Sequence, residues 1–333
     1  MLSQSLDDPT LTGLVADATT APSMHNAQPW QFRYTRAART LTLLADLDRM
    51  MPEADPAARA LHIGCGAALL NLRVSAAHRG LEAVTTLLPE PSDSAVLATV
   101  RLGIRPDAPR EPADEALAAL HPAIRERHTS RYPFDEQAVP EDVRAHLTDA
   151  ARAEGADFTF LASPHLETVL ELIRDAEGYD RGDPARVAEE RRWTRDTKAE
   201  APVDGIPDYA FGPRDASEGA ATRDFAGTGV LPGRPRIPFE KRPQLALLTT
   251  PGDRAVDWLR AGQALERVLL AATLRQVSTS FATQPVEWPD LRWLLRDPVS
   301  GTGHTQMIVR LGYGPTGPRT PRRPLAQVLT IEP

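Results

Sequence analysis

The run GAALLNLRVSAAHRGLE, Gly66 to Glu82, aligns without a gap to GQALERVLLAATLRQVS, Gly262 to Ser278. The first run lies within ARALHIGCGAALLNLRVSAAHRG, which is apolar nearly all round and predicts a central, buried helix ending at Gly80. A second pair follows in the same order. VRLGIRPDAPREP, Val100 to Pro112, matches VRLGYGPTGPRTP, Val309 to Pro321, with valine, arginine, leucine, glycine, two prolines and a later Arg-x-Pro in register. Two coincidences in one order point to a duplicated chain made of two related halves.

The elements around these runs repeat as well. Asp8-Pro9 opens a helix with Leu11, Leu14, Val15 and Ala18 on its apolar face, and WQFRYT and TLTLLAD then read as a hairpin. AVLATVRLGI is a predicted strand. In the later half PADEALAALHPAIRER, VPEDVRAHLTDAARAEG and HLETVLELIRDAEG read as helices, DFTFLAS, QLALLTT and QMIVRLGY as strands, and RAVDWLRAGQALERVLLAATLRQV as the second long helix. The expected halves are residues 1–115 and 116–333. From about Asp183 to Arg242 the chain turns to proline, glycine, charge and scattered aromatics, too long for an ordinary connection. That stretch is either a disordered surface excursion or a lid carrying Trp193, Tyr209, Phe211 and Phe225.

The 333 residues, 41% apolar and 25% charged, are those of a globular protein, and a net charge of −7 does not favour nucleic acid or anionic membranes. A single cysteine, Cys65, rules out an intrachain disulfide and a cysteine-rich metal site. The histidines form neither H-x-H nor H-E-x-x-H, no G-x-S-x-G elbow is present, and no metal is expected. GTGVLPG, Gly227 to Gly233, has the wrong spacing for a dinucleotide fingerprint. The N-terminus lacks the pattern of a signal peptide and no apolar run reaches bilayer length, so a cytoplasmic location is expected. Lys198 and Lys241 are the only lysines, which leaves any phosphate or carboxylate to be gripped by arginine.

The halves differ where chemistry would sit. After its first helix the first half carries APSMHNAQPW, Ala21 to Trp30, with one of only two asparagines in the chain; the second half has nothing comparable there. The second half carries RHTSRYPF, Arg127 to Phe134, and ends PRTPRRPL with Arg319, Arg322 and Arg323, where the earlier copy has lost the double arginine. Arg127, Arg131, Arg322 and Arg323 with His128 and Thr129 offer forked, charge-assisted donors suited to a phosphate monoester, although a lone R-x-T-x-R is more often a solvated turn. Asn26 and Gln28 suit the edge of a planar heterocycle, or merely satisfy backbone in a proline-bracketed turn.

Taken together, APSMHNAQPWQF, RHTSRYPF and the RLGYGP and PRRPL runs resemble the nitroreductase family of FMN-dependent flavoproteins, over most of the chain. The fused, single-chain Acg-type branch is the most similar, sharing the duplication, a QPVEWPDLR-like run and a long covering segment. The resemblance implies an α+β fold with helices around a mostly antiparallel sheet in each half. It implies one FMN per chain, its phosphate held by Arg127, His128, Thr129, Arg131, Arg322 and Arg323. Ser23, Met24, His25, Asn26 and Gln28 would approach the ring from the other half, with Ser280 a weaker candidate at its edge. It also implies hydride transfer from NAD(P)H through the flavin to a nitroaromatic, quinone or pathway intermediate, or, under a closed lid, an FMN-sequestering protein. The lysine that many members place beside the ring is missing, so an arginine would replace it. A monomer is expected, because the fused halves stand in for a dimer.

Overall fold

The computed structural model describes residues 6–104, 111–198, 201–216, 221–226, 233–296 and 303–333. Most of the GTGVLPG run and the middle of VRLGIRPDAPREP lie outside them.

In chain order the first half contains α1 (Asp8–Ala18), β1 (Trp30–Thr35), β2 (Thr40–Ala45), α2 (Arg59–His78), β3 (Leu81–Leu87) and β4 (Val96–Ile104). After α3 (Pro112–Ala118) come α4 (Glu141–Arg152), β5 (Asp157–Phe160), α5 (His165–Gly182) and α6 (Pro184–Arg192). Four two-residue strands follow: β6 (Thr194–Arg195), β7 (Ile206–Pro207), β8 (Arg214–Asp215) and β9 (Arg236–Ile237). The chain closes with β10 (Gln244–Thr250), α7 (Ala255–Leu274), β11 (Ser278–Phe281), α8 (Pro289–Leu294), β12 (His304–Gly312) and β13 (Leu329–Glu332).

Strand order carries the duplication. The first sheet runs β13-β1-β2-β4-β3 and the second β11-β12-β10-β5. Read from opposite ends, β3-β4-β2-β1 and β11-β12-β10-β5 are the same antiparallel sheet, each with its long helix between the second and third strands in chain order. The architecture is α+β with two pseudo-symmetric halves. In the first half a short turn joins β1 to β2; at the matching place, between β5 and β10, the second half carries α5, α6 and the segment expected as a lid. The C-terminal strand β13 leaves its own half and pairs parallel to β1, Phe32 opposite Leu329, so the second half lends its last strand to the first sheet.

α2 and α7 form the centre. The aligned glycines meet there: a Cβ on Gly262 would lie 2.0 Å from the Ile63 carbonyl oxygen, and one on Gly66 would lie 2.3 Å from that of Leu259. Glycine is required because backbone packs on backbone. By length and composition α2 could cross a membrane, but 83% of its apolar window is buried inside the protein, so it serves as a core helix. Around the pair, Leu69, Leu72, Leu265 and Leu269 are buried, each stabilising by about 1.5–3 kcal/mol. In β1 alternation puts Trp30, Phe32 and Tyr34 inward with Gln31, Arg33 and Thr35 facing away.

Two expectations are corrected. PADEALAALHPAIRER is not one helix: α3 stops at Ala118 and a separate 3₁₀ turn spans His121–Ile124, because Pro122 cannot donate to a continuing helix. The segment from 183 is also more ordered than its composition suggests. Asp183 caps α6 through the Ala185 and Arg186 amides, and Ile206, Ala210 and Phe211 form a small buried cluster with Phe225.

Candidate functional site

The APSMHNAQPW loop leaves α1 along the joint between the halves. Its residues His25, Asn26 and Gln28 have φ of 47°, 55° and 54°. Left-handed backbone at a non-glycine residue costs of order 1–3 kcal/mol and survives only where neighbours fix it. Here they do. Asn26 Nδ2 donates to Gly205 O at 3.0 Å and Pro321 O at 3.1 Å, while its Oδ1 accepts from Arg322 Nη1 at 3.0 Å. Ser23 Oγ accepts the Gln28 amide at 2.9 Å.

The loop forms one wall of a cleft of about 1120 Å³, counting its open mouth. From the first half Arg59, Ile63 and Gly64 of α2 join it; from the second come Leu265 of α7, Phe281 and the turn after β11. The covering segment adds Ile206, Arg223 and Phe225. Ser23, Met24, His25, Asn26, Arg127, His128, Thr129, Arg131 and Arg322 all line this cleft, so the two motifs separated in sequence share one cavity.

Three proposed site residues are absent from its wall. Gln28 is fully buried; its Oε1 accepts the Arg323 amide at 2.8 Å and its Nε2 donates to Val203 O at 2.9 Å. Arg323 turns away, bonding Asp46 at 3.0 Å and Gln28 O at 3.3 Å. Ser280 is buried on β11 opposite Arg310. Arg322 reaches the cleft but its N–H groups are spent. Nε donates to Thr19 O, Nη2 to Thr20 O and Ala21 O, and Nη1 to Asn26 and Thr320. It neutralises the carbonyl end of α1 and offers a ligand charge rather than hydrogen bonds.

The electrostatics of the wall are unbalanced. Arg127 is buried and faces Glu266, which is fully buried, with Nε 3.4 Å from Oε1; neither that nitrogen nor either carboxylate oxygen makes a hydrogen bond. Burial pushes the Glu266 carboxyl up, against the pull of Arg127. Arg131 donates to Ala210 O at 3.0 Å and stacks 4.9 Å from the Phe225 centroid, with no carboxylate partner among the described residues. Burial, then Arg223, lowers Arg131 to about 10; burial, then Arg127, lowers Arg322 to about 9. His128 is pushed down to about 4 by burial, Arg127, Arg319 and Arg322. An anion in this cleft would offset the downward shifts of Arg131, Arg322 and His128.

Residues beyond the motifs complete the site. Arg223 donates to Glu287 Oε1 at 2.6 Å and lies 3.4 Å from Glu190 and 3.6 Å from Asp180, latching the covering segment. It also meets His25 Nε2 at 3.0 Å; an arginine only donates, so Nε2 accepts and the imidazole is neutral. Burial, then Arg223 and Arg131, holds His25 well below the usual histidine range. Of the expected lid aromatics, Phe225 lines the cleft, Phe211 lies 6.2 Å from it between ring centroids, and Trp193 packs with Ala27, Met51 and Ala54. Tyr209 is half exposed and donates to Arg319 O. Glu266 was legible in the repeat, where it replaces Leu70; Arg223 has no counterpart to compare with.

No family model matches the chain. Among curated proteins, one from Mycobacterium tuberculosis named "Putative NAD(P)H nitroreductase Rv3131" is 32% identical over 328 residues, covering 97% of this chain and 92% of that protein. A second from the same organism, carrying the same designation with the name acg, is 30% identical over 322 residues, 94% of this chain and 93% of its own. Among solved structures, the FMN-dependent nitroreductase NfnB of Mycobacterium smegmatis in complex with NADPH aligns over 63% of this chain and 97% of its own, at 14% identity and a TM-score of 0.37. With a relative 32% identical across almost its whole length, the chain belongs to the nitroreductase family.

Proposed function

We propose that the protein is an FMN-dependent NAD(P)H oxidoreductase with one flavin per chain, working in the cytoplasm as a monomer. The observation that carries this reading is the charge imbalance of the cleft. Arg127 is buried beside Glu266, Arg131 and Arg322 are half-buried on the same wall, and burial followed by a neighbouring arginine lowers the pKa of Arg131 and Arg322. The donor set fits FMN. Arg127, His128, Thr129 and Arg131 would hold the phosphate, Arg322 would add charge, and the Ser23–Asn26 loop with Arg59 would border the ring. On this reading residues 1–115 supply the ring loop and 116–333 the phosphate site. Bound flavin would supply two-electron transfer at N5 in two alternating half-reactions, first from NAD(P)H and then to a nitroaromatic, quinone or pathway intermediate.

The visible spectrum tests it. Purified protein should carry one flavin per chain, bleached by NADPH without oxygen and recoloured by a quinone. Arg127→Ala should weaken flavin binding by about 1.5–3 kcal/mol, roughly 10- to 150-fold in Kd. Undiminished flavin content in that variant sinks the phosphate assignment. A second reading, sequestration of FMN without turnover, is favoured by the way the covering segment is pinned. Asn26 holds Gly205, Gln28 holds Val203, and Arg223 lies among three carboxylates. Fast reduction by dithionite with none by NADH or NADPH would select it.

A further inference from the structure

Among the described residues lining the cleft, one is acidic: Glu287, the last residue of the 3₁₀ turn Gln284–Glu287 after β11, within QPVEWPDLR. It also lines a second cavity beyond Arg223, together with Glu177, Asp180 and Glu190, so a single carboxyl is shared by two spaces. Its two oxygens are not equivalent. Oε1 accepts from Arg223 at 2.6 Å, whereas Oε2 is buried without a hydrogen bond, 3.6 Å from Arg186 Nη1.

We propose that Glu287 is the acid that delivers a proton to the electron acceptor in the cleft, and that the second cavity returns that proton from solvent. This rests on the oxidoreductase reading and names a catalytic residue for it. A quinone carbonyl that gains a hydride equivalent from flavin reduced by nicotinamide is left as a phenolate, one proton short of the hydroquinone. Transfer breaks the carboxylic O–H bond of Glu287 and forms the O–H bond of the acceptor. The carboxylate left behind is held by Arg223 at Oε1 and by Arg186. A proton from water entering past Glu177, Asp180 and Glu190 restores the acid, so charge and atoms balance.

Burial favours the neutral acid at Glu287, and the charged groups around it divide between the two forms. Arg223 and Asp224 face it from the covering segment, Arg186 and Glu190 from α6, Glu177 and Asp180 from α5, and Arg59 from α2. Burial, with Asp180 adding to it, raises Glu287 to about 7 against the pull of Arg223 and Arg186. Burial likewise raises Glu177 to about 7. An acid titrating near the working pH is the efficient one.

The test compares acceptors in flavin-loaded protein. Glu287→Gln should cut benzoquinone reduction by about 10²-fold. Ferricyanide reduction, which needs electrons and no proton, should fall far less, so the ratio of the quinone rate to the ferricyanide rate drops when both are taken per bound flavin. Glu287→Asp should restore part of the quinone rate. In flavin-free protein, infrared difference titration should show carboxylic acid losing its proton near pH 7, with the signal reduced but not abolished in the Gln variant because Glu177 titrates there too. Equal losses toward both acceptors would reduce Glu287 to a latch for Arg223 and overturn the proposal, as would an infrared signal undiminished in the Gln variant. Wild-type flavin that NAD(P)H cannot bleach would defeat the oxidoreductase reading itself, and the proton donor with it.

Discussion

Gly262→Ala is the sharpest test of how the two halves are joined. A Cβ there would lie 2.0 Å from the Ile63 carbonyl oxygen, 2.8 Å from its carbon and 2.9 Å from the Ala67 nitrogen. The nearest contact is about 1 Å short of a tolerated approach, and every obstacle is backbone, so no rotamer change relieves it. The helices must separate. Overpacking of this kind costs about 3 kcal/mol at the upper end, and alanine returns about 1 kcal/mol through helix propensity, leaving a net loss of about 2 kcal/mol. Ile63 and Leu265 both line the cleft, so the same separation should weaken flavin retention. Urea unfolding followed by circular dichroism reads the first effect and flavin release by filtration the second. Gly178→Ala is the control: it lies in α5 with nothing within 4 Å of the added carbon, and it should stabilise by up to about 1 kcal/mol. If Gly262→Ala is as stable as that control, the glycine contact does not hold the halves together and the reasoning fails.

Asn26→Ala removes donors from Gly205 O and Pro321 O and an acceptor from Arg322 in one step, and should cost about 2–3 kcal/mol. Limited proteolysis should then cut faster within 201–216, whereas an unchanged digestion rate would mean that Asn26 does not pin the covering segment. Flavin-free protein should lose stability as pH falls from 6.5 to about 4, because His128 resists protonation when folded but not when unfolded. The sign follows from a folded pKa below the unfolded one; His128→Gln should flatten that part of the stability profile, and an identical slope in the variant would refute the assignment.

How much of this was legible in the sequence depended on whether the cause was local. The repeat in the two long runs, beginning at Gly66 and Gly262, announced both long helices, but that their aligned glycines meet came only from the structure. Arg127, His128, Thr129 and Arg131 were found by type and spacing because they share one short turn. The double arginine misled for a physical reason. Arg322 and Arg323 are adjacent in the chain, but only Arg322 reaches the cleft while Arg323 is held by Asp46 and Gln28. Gln28 was misread because its left-handed φ turns it toward Val203 and Arg323. The strand β13 is four residues long and gains its place by parallel pairing with β1 at the far end of the chain, which no local pattern encodes. The covering segment owes its order to distant ion pairs, such as Arg49 with Asp204 at 2.8 Å.

Fusion has a physical consequence that the aligned runs make visible. In two identical subunits a buried carboxylate on the central helix would occur twice, once beside each copy of the phosphate arginines. Here the aligned position holds Leu70 in one half and Glu266 in the other, so a single carboxylate sits beside Arg127. The next aligned pair, Asn71 and Arg267, diverges too. Asn71 stays buried near Thr20, while Arg267 joins Arg73 of the other helix in clamping Glu154, at 2.7 and 2.6 Å. Charge is therefore placed on one side of the pseudo-twofold axis and apolar contact on the other, which a symmetric dimer cannot do. The asymmetry concentrates an unbalanced positive wall in one cleft, and it is this one-sidedness that supports the proposal of a single cofactor site per chain where a symmetric pair would build two.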